Sequence, residues 1–157
     1  MKRYAMSALA GAMIAVLSGG AEAQTLRLST QGNAPHPWLD AAEVLKAEVE
    51  QATEGRVKID IHPGGVLGND ATALDEMRMG TIDLLIGGTQ EATPFFPQFQ
   101  LFSISYLFPD EKVFRTAMDP SGPVTDHYRQ VYRDADNGLT LLALTGGGIR
   151  NLSNNIK

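Results

Sequence analysis

The sequence contains no cysteine. That excludes disulfide frameworks, Cys-ligated zinc, iron–sulfur clusters and thiol catalysis. Cations are scarce as well: 13 Lys and Arg stand against 18 Asp and Glu, a net charge of −5. This balance argues against a nucleic-acid surface, which needs a basic patch. The three histidines, His36, His62 and His127, fall in three different elements and form no HxxxH or HExxH pair, so no metal centre is expected. Ser29, Ser103, Ser105, Ser121 and Ser153 lack a GxSxG elbow, which argues against a serine hydrolase. No pair of carboxylates has a distinctive spacing. Beyond the first 23 residues no segment is apolar enough to span a membrane. What remains is an ordinary globular composition, 43% hydrophobic and 20% charged over 157 residues, the length of one domain or one and a piece.

The first 23 residues read as a secretory leader. Lys2 and Arg3 form a positive start, and Tyr4–Leu17 is an uncharged apolar stretch. Ser18-Gly19-Gly20 breaks it, and Ala21-Glu22-Ala23 is an A-x-A cleavage site. A membrane anchor is the competing reading, but the apolar run is short of the roughly 20 residues a spanning helix needs. Cleavage would leave 134 residues with a net charge of −6. The mature protein is expected in the periplasm, with no direct membrane insertion.

Thr25–Thr30 alternates apolar and polar residues, as a strand does. After the turn-rich loop Gln31–Pro37, Trp38, Ala42, Leu45, Val49 and Ala52 recur at spacings of three and four, the stripe of an amphipathic helix stopped by Gly55. Trp38 begins that stripe and is assigned to the core rather than to a ligand. Val57, Ile59 and Ile61 predict a second strand, followed by the loop His62–Gly68. Asn69 or Asp70 can cap a short helix carrying Leu74 and Met77 and stopped by Gly80. Ile82–Ile86 is a near-continuous apolar run, as in a strand buried on both faces. The order β-α-β-α-β predicts an α/β doubly wound parallel sheet. Ligands of such sheets bind beyond the carboxyl ends of the strands, here Gln31–His36, His62–Gly68 and Gly87–Thr93. Pro94–Pro109 holds five Phe and one Tyr and reads as a packed connection. Short helices are expected over Asp110–Met118 and Val124–Asp134, and a strand over Leu139–Thr145.

No cofactor motif is present. His62-Pro63-Gly64-Gly65 lacks the spacing and the Lys of a phosphate loop, and Gly146–Gly148 is not GxGxxG. The three glycines suit a hinge or a close backbone approach. Arg150 follows them. It reads either as an exposed arginine near the terminus or as a guanidinium facing the crevice, whose fork can hold a carboxylate bidentately.

An ordered set of segments resembles the extracytoplasmic substrate-binding subunits of TRAP (tripartite ATP-independent periplasmic) transporters, the DctP-like family. Leu26–Val49 resembles the family's opening unit, and Thr53–Ile59 its turn into strand two. Pro63-Gly64-Gly65-Val66-Leu67-Gly68 is similar to its P-x-x-x-L-G loop, and Met77–Asp83 to its l-x-x-G-x-i-D segment. Phe95–Phe108 resembles its aromatic stretch, with Ser105 where a proline is usual. Gly148–Asn154 resembles G-x-R-x-l-t-n. The resemblance implies a periplasmic-binding-protein-like fold and no enzymatic activity. It implies a small organic acid held between two α/β domains and delivered to membrane permease subunits driven by an ion gradient. It makes Arg150, Gln31, Asn33, His36, Gly88 and Thr89 the candidate ligand-binding residues, any role of Gly88 being through its backbone. Family members are about twice as long, so the chain reads as an N-terminal portion. Residues 1–23 would be the leader, 24–145 the ligand-binding domain and 146–157 the hinge and the start of a second domain that is largely missing. Two other readings stand beside this one: a short secreted interaction module, and a secreted α/β enzyme acting on carboxylates.

Overall fold

The computed structural model describes residues 23–146. Residues 1–22, where a leader is expected, and residues 147–157, which include Arg150, lie outside the described residues. Three parallel strands, β1 (Gln24–Thr30), β2 (Val57–His62) and β3 (Leu84–Ile86), form one sheet in the order β2-β1-β3. Leu28 pairs with Ile61 on one side and Leu84 on the other, so β1 is the central strand. Leu28, Ser29 and Thr30 are fully buried there. The third strand is shorter than its apolar run suggests, because Ile82 is buried before the ladder begins.

The helix α1 (Pro37–Ala52) starts where Pro37 sets its first turn and the His36 imidazole accepts the Trp38 N–H. It ends at Thr53, with Gly55 in the left-handed region as the stop residue. Its stripe packs Ala42, Leu45 and Val49 on Leu26, Leu28, Ile59, Ile61, Leu84 and Ile86, one face of the sheet. Trp38 takes no part in that core. It is half-buried and meets the His36 ring edge-on at 5.1 Å. The first helical turn faces the loop rather than the sheet, so the stripe begins packing at Ala42. From the same helix Lys46 donates to the Ile59 carbonyl at 2.5 Å, and Glu50 accepts the Ile59 N–H at 3.2 Å. The outer edge of β2 is thereby covered at this residue.

The helix α2 (Asp70–Arg78) is capped by Asn69, whose side chain accepts the Thr72 N–H at 2.9 Å. Its Leu74 and Met77 join Leu85 in a second core on the other face of the sheet. The connections β1–α1–β2 and β2–α2–β3 thus leave on opposite faces, which is the doubly wound arrangement. The aromatic stretch forms a 3₁₀ helix, Pro97–Ser103. Its three-residue period lines up Phe96, Phe99 and Phe102 against α4 (Pro123–Ala135), where Tyr128 and Tyr132 stand one turn apart. Phe96 stacks on Tyr132 at 3.8 Å, and Phe99 on Tyr128 at 4.5 Å. The Tyr128 hydroxyl donates to the Gln98 carbonyl at 2.9 Å. The remaining helix, α3 (Glu111–Ala117), packs beside α4 and is capped by Asp110.

Leu139–Thr145 corrects the sequence reading. It is not a strand, although Leu139 and Leu144 are buried in the second core. The two are five residues apart, a spacing that does not fit a strand's alternation, no ladder forms along the segment, and the Leu142 carbonyl accepts the Arg129 guanidinium at 2.5 Å.

Candidate functional site

With strand order β2-β1-β3, the loops after β1 and β3 leave toward opposite faces. The crevice between their carboxyl ends is where a doubly wound sheet opens to a ligand. Gln31 follows β1 directly, and Gly87-Gly88 follows β3.

The three loops form one hydrogen-bonded rim. The first and second are joined by their backbones, Gly65 N–H to Thr30 O at 3.0 Å and Gly64 N–H to Gly32 O at 3.3 Å. The Gln31 amide adds a bond to the Gly68 carbonyl at 2.8 Å. Gly64 and Gly65 have φ of +70° and +69°, which glycine adopts without strain. A side chain there would also meet the first loop, since a Cβ on Gly64 would stand 2.7 Å from Asn33 Oδ1. The second loop joins the third through Asp70, the first residue of α2. Its Oδ2 accepts the Gly88 N–H at 2.8 Å.

Asp70 is only 2% exposed, and its Oδ1 has no hydrogen-bond partner. Burial pushes its carboxyl group above the usual carboxylate range, and the nearby Glu91 charge adds to that. The Gly88 N–H and the Gln31 amide pull the other way. Sequence reasoning missed this residue. It treated Asp70 as an alternative cap, whereas Asn69 is the cap and Asp70 reaches across to β3. The available signal was an acidic residue two positions beyond a glycine-rich strand-end loop.

The structure brings Gln31, Asn33 and Gly88 to this rim. Gln31 and Asn33 are exposed and lie against Gly65 and Gly64. The Gly88 N–H is already engaged by Asp70, which narrows the backbone role given to it. Thr89 is half-buried, and its carbonyl accepts the Thr93 hydroxyl at 3.4 Å. His36 is held as the α1 cap, its Nδ1 occupied by the Trp38 N–H. An open depression of about 600 Å³ flanks the third loop, lined by Gln90, Thr93, Gln100, Leu101, Ser103 and Ile104.

Among the described residues, no three His, Asp or Glu side chains gather as metal ligands. Ser29 pairs in register with His62, and His62 Nε2 lies 3.1 Å from Asp60 Oδ2. These are the residue types of a hydrolase triad. The Ser29 hydroxyl, however, is fully buried and bonds to nothing, so it has neither a base nor access to substrate.

The family model described as bacterial extracellular solute-binding protein, family 7 (DctP), matches residues 28–157. The 2,3-diketo-L-gulonate-binding periplasmic protein YiaO of Escherichia coli is 26% identical over 132 residues, covering 84% of this chain and 39% of that protein. A TRAP periplasmic solute-binding protein of Pseudomonas putida, solved with bound D-glucuronate, superposes with a TM-score of 0.68 at 20% identity. The match covers 76% of this chain and 38% of the other. The sugar acid binding protein DctPAm of Advenella mimigardefordensis, solved with galactonate, gives a TM-score of 0.67 at 21% identity, covering 73% of this chain and 36% of that one. The chain spans about a third of the length of the relatives it matches.

Proposed function

The chain belongs to family 7 of the bacterial extracellular solute-binding proteins, DctP, and from that premise we propose that it is the ligand-capturing part of a TRAP transporter receptor. The leader at residues 1–23 exports it to the periplasm. Residues 24–145 form one wall of an interdomain cleft, and residues 146–157 form the hinge and the start of the second domain. The wall captures a small organic acid without transforming it, and the receptor delivers that acid to ion-gradient-driven permease subunits. The observation that carries this reading is the hydrogen-bonded rim of three strand-end loops at the switch point, with Gln31 and Asn33 exposed on it. A rim fixed before the ligand arrives loses little entropy on binding. Thr89 and His36 flank the rim. Arg150 supplies the guanidinium for the carboxylate, a bidentate partner the rim itself does not offer.

Titration calorimetry with a panel of sugar acids, keto acids and dicarboxylates tests the reading. At least one acid binds, and Arg150→Ala weakens it by about 1.5–3 kcal/mol, the value of a hydrogen bond to a charged group. Unchanged affinity in that variant removes the role given to Arg150. Turnover of any of these acids replaces the receptor with an enzyme.

A further inference from the structure

Asn137-Gly138 is the one Asn-Gly pair in the sequence. It follows α4, just past Asp136, which caps the helix at φ +44°. The Asn137 Oδ1 accepts the Leu139 N–H at 3.3 Å. This Asx turn folds the side chain over the intervening peptide and brings Cγ toward the Gly138 nitrogen. The bond also draws electrons from the amide carbonyl, which makes Cγ the better electrophile. Gly138 is exposed and has φ +80°, and a Cβ built on it would meet nothing beyond its chain neighbours within 4 Å. Among the described residues its N–H donates no hydrogen bond. The nucleophile is thus unhindered, unpaired and open to water, and it lies beside an activated carbonyl. The other asparagines among the described residues lack these features. Asn33 precedes Ala34, and Asn69 precedes Asp70 with its Oδ1 held by the Thr72 N–H.

We propose that Asn137 is a site of self-modification that ends in aspartate and isoaspartate. The Gly138 nitrogen bonds to Asn137 Cγ and gives up its proton. The Cγ–Nδ2 bond breaks, and Nδ2 leaves with that proton as ammonia. Water then opens the five-membered imide at either carbonyl, and nothing is oxidised or reduced. Attack at Cγ restores the main chain and leaves an aspartate. Attack at the main-chain carbonyl leaves isoaspartate, whose main chain runs through Cβ and Cγ and is one methylene longer. Either product places a new carboxylate in an open depression of about 660 Å³ between α2 and the end of α4, which Asp75, Arg78, Met79 and Asp136 line with Asn137. Arg78, the one cation of that lining, already stands 3.6 Å from Asp75. A negative charge at the C-terminal end of a helix is unfavourable. Isoaspartate also lengthens the chain just before Leu139, which is 7% exposed in the second core. The modified chain therefore loosens where α4 meets that core. The inference is independent of the receptor reading.

The test follows the chain by peptide mass spectrometry during incubation in heavy-oxygen water at neutral and mildly alkaline pH. Trypsin, used afterwards in ordinary water, releases residues 134–150, in which Asn137 carries the one amide side chain. A synthetic peptide of the same residues sets the rate without the fold. The folded chain converts within about tenfold of that peptide or faster, takes up one heavy oxygen and yields two isomers. Asn33 and Asn69 convert more than about tenfold more slowly than Asn137. No conversion, or a folded chain more than about tenfold slower than the peptide, overturns the inference, because the fold would then block the reaction or have to open first. A rate at Asn33 or Asn69 within about tenfold of that at Asn137 overturns it as well, because the turn would then confer nothing. The aged, more acidic fraction is separated by anion exchange and melts below the fresh chain. An aged fraction that melts with the fresh chain overturns the link to the core.

Discussion

Gly65→Ala probes the rim directly, and its cost can be worked out before it is measured. Gly65 has φ +69°, where an alanine costs about 1–2 kcal/mol. Its new Cβ would stand 2.9 Å from Gln31 Nε2 and 3.0 Å from Cδ, so the Gln31 side chain has to leave. Leaving breaks its 2.8 Å bond to the Gly68 carbonyl, about 0.5–1.5 kcal/mol. The two effects together predict a loss of about 1.5–3.5 kcal/mol in urea denaturation followed by far-UV circular dichroism. Gln31→Ala alone loses only the bond, about 0.5–1.5 kcal/mol. If Gly65→Ala has already displaced Gln31, truncating Gln31 in that background costs nothing more. The double variant is then more stable than additivity predicts by the value of the bond. Strict additivity, to within about 0.3 kcal/mol, would refute the claim that these two loops are held together through Gln31. A Gly65→Ala loss under about 1 kcal/mol would refute the strain assigned to this φ.

Two further variants test the core and the buried carboxylate. Phe99→Ala removes a ring 1% exposed, stacked on Tyr128 and edge-on to Phe96 and Tyr132, and it lowers stability by about 3–5 kcal/mol in the same urea titration; a loss under about 1 kcal/mol would mean the aromatic cluster is not packed as described. Asp70→Asn keeps an acceptor for the Gly88 N–H and removes the charge. Burial raises the Asp70 pKa in the folded state, so its contribution is fully present below the unfolded carboxylate range and is lost as pH rises through the folded value. Thermal melts between about pH 4 and pH 7 should show Asp70→Asn gaining on the wild type as pH rises; a gap that narrows instead contradicts the burial effect.

The elements that built the rim were legible because each carries its own period and its own stop. Val57, Ile59 and Ile61 alternate, α1 repeats every three or four residues, and Gly55 and Gly80 both have positive φ just beyond a helix. The errors fall where structure depends on a distant partner. Leu139–Thr145 is an apolar run of strand length, but a strand also needs a neighbour to complete its ladder, and local pattern does not report one. Phe96, Phe99 and Phe102 did carry a signal, a spacing of three, but an aromatic-rich stretch between two prolines does not identify its partner until Tyr128 and Tyr132 stand opposite. Asp70 is the instructive case. Its neighbour Asn69 satisfies every local expectation of a cap, so only the closure of α2 onto β3 shows that Asp70 reaches the Gly88 amide.

The same geometry bears on how an anion is captured by an anionic protein. The residues after Ala23 carry a net charge of −6, and the three strand-end loops add no Lys or Arg. Long-range attraction therefore cannot draw an organic acid to this wall; at the Debye length of about 8 Å in physiological salt, only charges near the crevice matter. In the receptor reading proposed above, the carboxylate is met by a guanidinium placed close by, the role proposed for Arg150. The rim then acts on the rest of the molecule. Gln31 and Asn33 expose neutral amides and Glu91 a carboxylate, while Asp70 is buried behind the Gly88 amide.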